Sequence, residues 1–149
     1  AFRTGAPFWP SNKQTVAKML ALAEAKEGQL LIDLGSGDGR IVRAAAKLGL
    51  RAIGVEMNPF FVWWSRLRLW LYRVGRVQIV RGDLWKTDVG EADIVTIYFI
   101  YPKMIQLRDK LRREMKPGSK IISNKFTFPD WIPEANDGKV YLYVLHSDR

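Results

Sequence analysis

Cysteine is absent from the 149 residues and histidine occurs once, at His146. Disulfides and thiolate metal sites are therefore excluded, and one histidine argues against a His-based zinc site or a Ser-His triad. No apolar run reaches the roughly 18 residues that span a bilayer, and the first residues lack the pattern of a secretory signal. The expected place is the cytoplasm, with peripheral contact to a membrane left open. Acidic residues are few, 15 against 24 lysines and arginines, so the net charge is +9 and the pI about 10.0. That balance suits nucleic acid, an anionic membrane surface or another acidic partner without choosing among them. Repeats and low-complexity linkers are also missing, and the length is that of one domain with a substantial core.

What is present is a short-period alternation of strand and helix patterns, which points to a parallel α/β sheet. Thr15 to Lys26 carries Val16, Met19, Leu20 and Ala23 at helical spacing, with Ser11 as the expected N-cap. Strands are predicted at Leu30 to Leu34, Arg51 to Val55, Val77 to Val80, Ala92 to Tyr98, Ser119 to Ser123 and Lys139 to Leu145. Helices are predicted at Ile41 to Leu48, at Pro59 to Val74, and around Met104, Leu107, Leu111 and Met115, where Lys116-Pro117-Gly118 ends the pattern. No helix pattern separates the last two strands, so the fold is a compact version with a C-terminal strand.

Between the first strand and its helix lies Asp33-Leu34-Gly35-Ser36-Gly37-Asp38-Gly39-Arg40. Glycine is needed where a turn requires positive φ or where backbone must approach a ligand closely. The helix behind the loop adds unpaired N–H groups and a partial positive charge. A dinucleotide loop reads G-x-G-x-x-G; here the spacing is G-x-G-x-G, and Arg40 holds the third glycine's place. Asp33 puts a carboxylate at the strand end, suited to a cationic ligand. Both departures resemble the S-adenosyl-L-methionine loop of the Rossmann-like class I methyltransferases. That resemblance implies a doubly wound, mostly parallel sheet forming a single domain over 1–149, with 1–28 as N-terminal lid and helix and 29–149 as core.

In an open parallel sheet ligands bind at the carboxyl ends of the strands. Asp33, Glu56 and Asp83 each stand at such an end. Glu56, with Met57 beside it, lies 21 residues past Gly35, about the offset at which an acid bonds ribose hydroxyls. Asp83 is placed to accept from the adenine amino group, with Leu84 against the ring. The expected cofactor contacts are therefore Asp33, Gly35, Ser36, Gly37, Gly39, Glu56, Met57, Asp83 and Leu84. A sulfonium makes its methyl electrophilic, so the protein has chiefly to hold a nucleophile in line at roughly 3 to 3.5 Å and exclude water.

The acceptor belongs near the end of the fourth strand, at Tyr98-Phe99-Ile100-Tyr101-Pro102. Enzymes that methylate exocyclic base amines often carry Asn or Asp, then Pro-Pro and an aromatic residue there, and this chain does not. Pro7-Phe8-Trp9-Pro10, Asp33 to Ile41, Glu56-Met57-Asn58-Pro59, Val62-Trp63-Trp64-Ser65-Arg66, Asp83-Leu84-Trp85-Lys86 and Phe126-Thr127-Phe128-Pro129-Asp130-Trp131 occur in order. Together they resemble the small methyltransferase family that includes the lysine methyltransferases of the ATP synthase c-subunit and the adenine nucleotide translocase. The resemblance covers about residues 7 to 131 and implies a prokaryotic relative that methylates a protein lysine, with a membrane protein among the candidate substrates.

Lysine must lose a proton before attack, which costs about 4.6 kcal/mol at pH 7 from a pKa of about 10.4. A dry aromatic pocket beside a sulfonium lowers that pKa. Phe8, Trp9, Tyr98, Tyr101 and Trp131 are candidate walls, with Phe8 and Tyr98 the principal pair and no obligatory general base. An RNA methyltransferase, or a binding protein that keeps the cofactor fold without turnover, stays open as an alternative.

On a helical wheel Phe60, Trp63, Trp64, Leu67, Trp70, Leu71 and Val74 form the expected core stripe. Phe61, Val62, Arg66, Arg68, Leu69, Tyr72 and Arg73 are left outside, half arginine and half apolar. Such a face suits a membrane interface, a dimer contact or a hydrophobic protein partner.

Overall fold

The computed structural model describes residues 12–98 and 103–147. Helix α1 (Lys13–Leu22) leads into β1 (Leu30–Leu34), α2 (Arg40–Lys47), β2 (Arg51–Glu56), α3 (Pro59–Leu71) and β3 (Val77–Arg81). A 3-10 turn at Leu84–Lys86 precedes β4 (Ile94–Ile97), α4 (Met104–Glu114), β5 (Lys120–Asn124), β6 (Ala135–Asp137) and β7 (Val140–Val144). The strands form one seven-stranded sheet in the order β3-β2-β1-β4-β5-β7-β6. β3 through β5 pair in parallel, whereas β7 is antiparallel to both neighbours. The α/β, mostly parallel sheet expected from the pattern is therefore present, and the strand order reverses between β1 and β4.

Both faces of the sheet are covered, so β1 is buried at all five positions. Leu31 packs with Ala52, Ile79, Ile94 and Ile122 under α1, α2 and α3. Leu30, Ile32 and Leu34 turn the other way, onto Met104, Leu107, Leu111 and Met115. The period of two along the strand thus sends alternate residues into two cores.

Several element bounds differ from the sequence reading. α1 ends at Leu22 rather than Lys26 because Glu24 adopts φ 50°, outside the helical region. Its cap is Asn12, whose Oδ1 accepts from the Thr15 N–H at 2.7 Å; Ser11 lies outside the described residues. α3 stops three residues before Val74, since Arg73 at φ 53° turns the chain. β6 is absent from the sequence pattern: Ala135-Asn136-Asp137 is exposed and poor in strand formers, and pairs with β7 across Gly138 at φ 59°. In place of a helix after β5, Phe128 and Trp131 pack on Tyr143, with centroids 5.0 and 4.7 Å away.

The helical wheel for α3 is overturned at most of its large apolar positions, while Val74 packs on the core and Arg66, Tyr72 and Arg73 are exposed as expected. Its buried residues are Val62, Ser65 and Leu69, while Phe60, Trp63, Trp64, Trp70 and Leu71 are exposed. Apolar side chains surround most of this helix, so hydrophobic periodicity does not select a face. A small residue does: Ser65 lets α3 close on the loop after β1, where its Oγ donates to the Gly37 carbonyl at 2.9 Å. A Cβ built on Gly39 would lie 3.5 Å from that of Ser65.

Candidate functional site

In an open parallel sheet the ligand crevice lies where the strand order reverses, here between β1 and β4, and the loop from Gly35 to Gly39 leaves β1 at that point. Gly35, Gly37 and Gly39 have φ of 84°, 56° and 82°, so all three occupy the left-handed region that L side chains avoid. The N–H groups of Gly35 and Ser36 both donate to the Val55 carbonyl, at 2.8 and 3.0 Å, which pins the loop to the end of β2. Gly54 is the counterpart of this approach, because a Cβ there would sit 2.7 Å from that of Ser36. The Ser36 hydroxyl is consequently buried, and among the described residues its Oγ has no hydrogen-bond partner. Its backbone is engaged as well, the N–H with Val55 and the carbonyl with the Gly39 N–H at 2.9 Å, so Ser36 shapes the loop.

Glu56 closes the loop from the next strand. One carboxylate oxygen accepts from the Gly37 N–H at 2.8 Å and the other from the Asn58 N–H at 2.9 Å. Asn58 in turn caps α3 through Phe60 N at 2.9 Å. Each oxygen of Glu56 retains a lone pair, so a ribose diol can be accepted without breaking either bond. Met57, beside it, is 40 % exposed.

Asp33 is buried one residue before the end of β1. Its register neighbours are Gly54 and Thr96, and the Thr96 hydroxyl donates to its Oδ1 at 2.9 Å. Burial, reinforced by the charges of Glu56 and Asp38 and opposed by the Thr96 hydrogen bond, pushes the Asp33 carboxyl up to about 7. Such a group is half ionised near neutrality and gains most from a cationic ligand. The residues therefore fit a ligand that joins a positive charge to a nucleoside: a buried acid, a loop stripped of Cβ atoms, and a second acid with lone pairs to share.

Asp83 and Leu84 follow β3. Asp83 accepts from the Trp85 N–H at 3.0 Å and caps the 3-10 turn. Leu84 is packed into the α4-side core with Leu34 and Val55. The pair sits at the end of β3, as the strand-end pattern required, and Asp83 has the capping role that a lone carboxylate there often takes.

An ion cluster behind the loop is not foreseen by the sequence reading. Asp38 pairs with Arg40 at 2.8 Å and Arg68 at 3.5 Å, while Arg43 donates to its carbonyl at 2.6 Å. Burial raises the Asp38 carboxyl, but the hydrogen bonds and charge of Arg40, with the charge of Arg43, outweigh it and hold the group below its ordinary value. Arg40 thus stands where a dinucleotide loop has its third glycine and clamps the loop to the start of α2. The Asp-x-Arg spacing is the signal available for it.

At the end of β4, Tyr98 stacks on Phe126, with centroids 5.8 Å apart and planes at 24°. The Lys125 ammonium lies over the Tyr98 ring, 5.4 Å from its centroid. Trp131, a candidate wall in the sequence, packs instead against Phe128 and Tyr143, with the Arg112 guanidinium 4.3 Å above it. It covers the sheet where a helix is missing. Phe8, Trp9 and Tyr101 lie outside the described residues.

Known proteins resemble this chain in sequence and in fold. The profile of the ANTKMT methyltransferase domain matches residues 33–135. The lysine N-methyltransferase of the ATP synthase c-subunit from Rattus norvegicus is 40 % identical over 148 residues, which cover 96 % of this chain and 68 % of that protein. A protein-lysine N-methyltransferase of Saccharolobus islandicus is 34 % identical over 93 % of both chains. The crystal structure of an RNA methyltransferase from Salinibacter ruber, in complex with S-adenosyl-L-homocysteine, superposes with a TM-score of 0.88 at 34 % identity, covering 93 % of this chain and 95 % of that one. Against the human c-subunit enzyme the chain spans 57 % of the relative's length. By motif, strand order and similarity along most of its length, the chain belongs to the family of the ANTKMT methyltransferase domain and has the Rossmann-like fold of the class I methyltransferases.

Proposed function

We propose that the protein transfers the methyl group of S-adenosyl-L-methionine to the side-chain amine of a protein lysine. The observation that carries the acceptor is the Tyr98–Phe126 wall with a lysine ammonium resting on it. An aromatic surface at the strand-four side of the crevice that takes one alkylammonium is fitted to take another. The relatives named as lysine methyltransferases support the same reading.

When bound, the cofactor supplies an electrophilic methyl. Asp33 provides the buried counter-charge for its cationic end, Glu56 accepts from its ribose, and the three glycines let the loop backbone approach. Tyr98 and Phe126 take the acceptor chain and exclude water. An exposed cation–π contact is worth about 0.5–1 kcal/mol, small beside the roughly 4.6 kcal/mol needed to deprotonate lysine at pH 7. Desolvation of the amine therefore decides its reactivity. We assign no obligatory general base.

RNA is the second reading, favoured by the +9 charge and by the activity named for the Salinibacter structure. Incubation of the chain and labelled cofactor with a cell lysate, split between protease and nuclease, separates the two. Protein methylation predicts label lost to protease and retained after nuclease; the reverse pattern ends the lysine reading.

A further inference from the structure

The solvent side of α3 carries more large apolar side chains than its core side. Phe60, Trp63, the half-buried Leu67 and Trp70, flanked by Trp64 and Leu71, follow i, i+3, i+4 spacing as one stripe along the helix. Phe60, Trp63 and Trp70 are 61, 59 and 74 % exposed, and Tyr72 continues the surface past the last turn at 68 %. The rings meet one another rather than the core, with the Phe60–Trp63 and Trp63–Trp64 centroids both 6.4 Å apart. Single exposed hydrophobes are ordinary, but a continuous row of this length marks a contact surface.

Charge says what the contact is with. From Pro59 to Arg81 the chain carries five arginines and no acid. Arg66 donates to the Ile79 carbonyl and Arg68 pairs with Asp38. Arg73 and Arg76 are exposed just beyond the helix, and Arg81, also exposed, shares a sheet face with Ile79 and hence with α3. The groove between α1 and α2, on the same side of the sheet, adds Lys13 and Lys47 against a single acid, Glu24. A second copy docked by a two-fold axis would set this cationic face against itself. An anionic lipid surface supplies both an apolar layer for the indoles and phosphates for the arginines.

We infer that α3 docks the protein on an anionic membrane surface, its axis in the interfacial plane, its indoles at headgroup depth and its arginines against lipid phosphate. Because α3 begins three residues past Glu56, docking holds the mouth of the cofactor crevice beside the bilayer, within reach of a lysine presented there. That last consequence rests on the lysine reading; the docking does not.

The test is flotation of the chain with vesicles of phosphatidylcholine alone and of phosphatidylcholine mixed with phosphatidylglycerol, at about 0.15 M salt. The chain is expected to float with the anionic vesicles and to show a blue shift of tryptophan fluorescence. Trp63→Glu with Trp70→Glu should lower binding at least about tenfold while leaving S-adenosylhomocysteine affinity, measured by calorimetry, unchanged. Arg73→Gln and Arg76→Gln should each weaken the anionic preference about fivefold. The inference is overturned if the chain stays soluble with both vesicle types, or if the tryptophan pair floats as well as the parent. It is equally overturned if the parent is a vesicle-indifferent dimer that the tryptophan pair makes monomeric, or if a nucleic acid, and not vesicles, produces the fluorescence shift.

Discussion

Replacing Asp33 by asparagine tests the assignment of a buried, ligand-seeking carboxylate. The amide keeps an oxygen to accept from Thr96, so the main change is the loss of a titrating group. In the native state Asp33 is pushed up to about 7 from 3.8. Between those values the folded chain holds a proton that the unfolded chain has released, so stability falls as pH rises, by about 1.36 kcal/mol per unit. The contribution is fully favourable below the unfolded value and is lost through the folded one. Over that window it amounts to about 4 kcal/mol, an upper figure because local relaxation and water entry reduce it. Urea denaturation of the cofactor-free protein between about pH 4 and pH 8 should show the parent losing this stability relative to Asp33→Asn. Cofactor affinity should move oppositely, rising for the parent about 30-fold from pH 5.5 to above 7 as the carboxylate forms, and staying weak and flat for the variant. A stability difference constant within about 1 kcal/mol, together with undiminished cofactor affinity in Asp33→Asn, would refute the assignment.

Other outcomes follow from the same geometry. Glu56→Gln should weaken cofactor binding about tenfold, by loss of a charged acceptor worth about 1.5–3 kcal/mol, measured by calorimetry. Gly54→Ala should destabilise by about 1–3 kcal/mol, because its Cβ meets that of Ser36 at 2.7 Å, and Ser36→Gly in the same chain should recover most of that in chemical denaturation. Tyr98→Ala should lower kcat/KM for a lysine peptide about tenfold or more, whereas Tyr98→Phe, which keeps the ring face, should stay within about threefold. Asp38, held below its ordinary value, contributes stability above the unfolded carboxylate range that is lost as pH falls through its folded value. Acid unfolding should therefore begin at a higher pH in Asp38→Asn, with circular dichroism as the measure.

Legibility in the sequence follows how local the physical demand is. β1 is readable to the residue, since five apolar-flanked positions between turn signals leave little freedom. The glycine loop is legible because positive φ is a property of one residue, and each of Gly35, Gly37 and Gly39 has it. The strand-end acids are found by counting from that loop. The α3 face is misread because hydrophobicity on almost every side carries no direction, and the deciding residue, Ser65, acts through Gly37, 28 positions away. The packing of Trp131 is hidden for a related reason: its partner Tyr143 belongs to an antiparallel strand beyond it. β6 is hidden by weak propensity, although Asp137-Gly138 ahead of an alternating strand is a usable hairpin signal.

By itself the sequence determined the parallel sheet, the ligand loop, the carboxylates beside it and, through the order of its motifs, the family. These rest on backbone conformation and on side-chain periods that a residue imposes wherever it is placed. Only the tertiary structure decided which side of α3 meets solvent and that Glu56 braces the loop it was expected to complement. The tertiary structure also brought Arg40, Arg43 and Arg68 together on Asp38 and laid Lys125 on Tyr98. Apart from Arg40 and Arg43, which lie near Asp38 in the chain, each of those outcomes depends on groups distant in sequence competing for one place, and packing, not composition, settles such competitions.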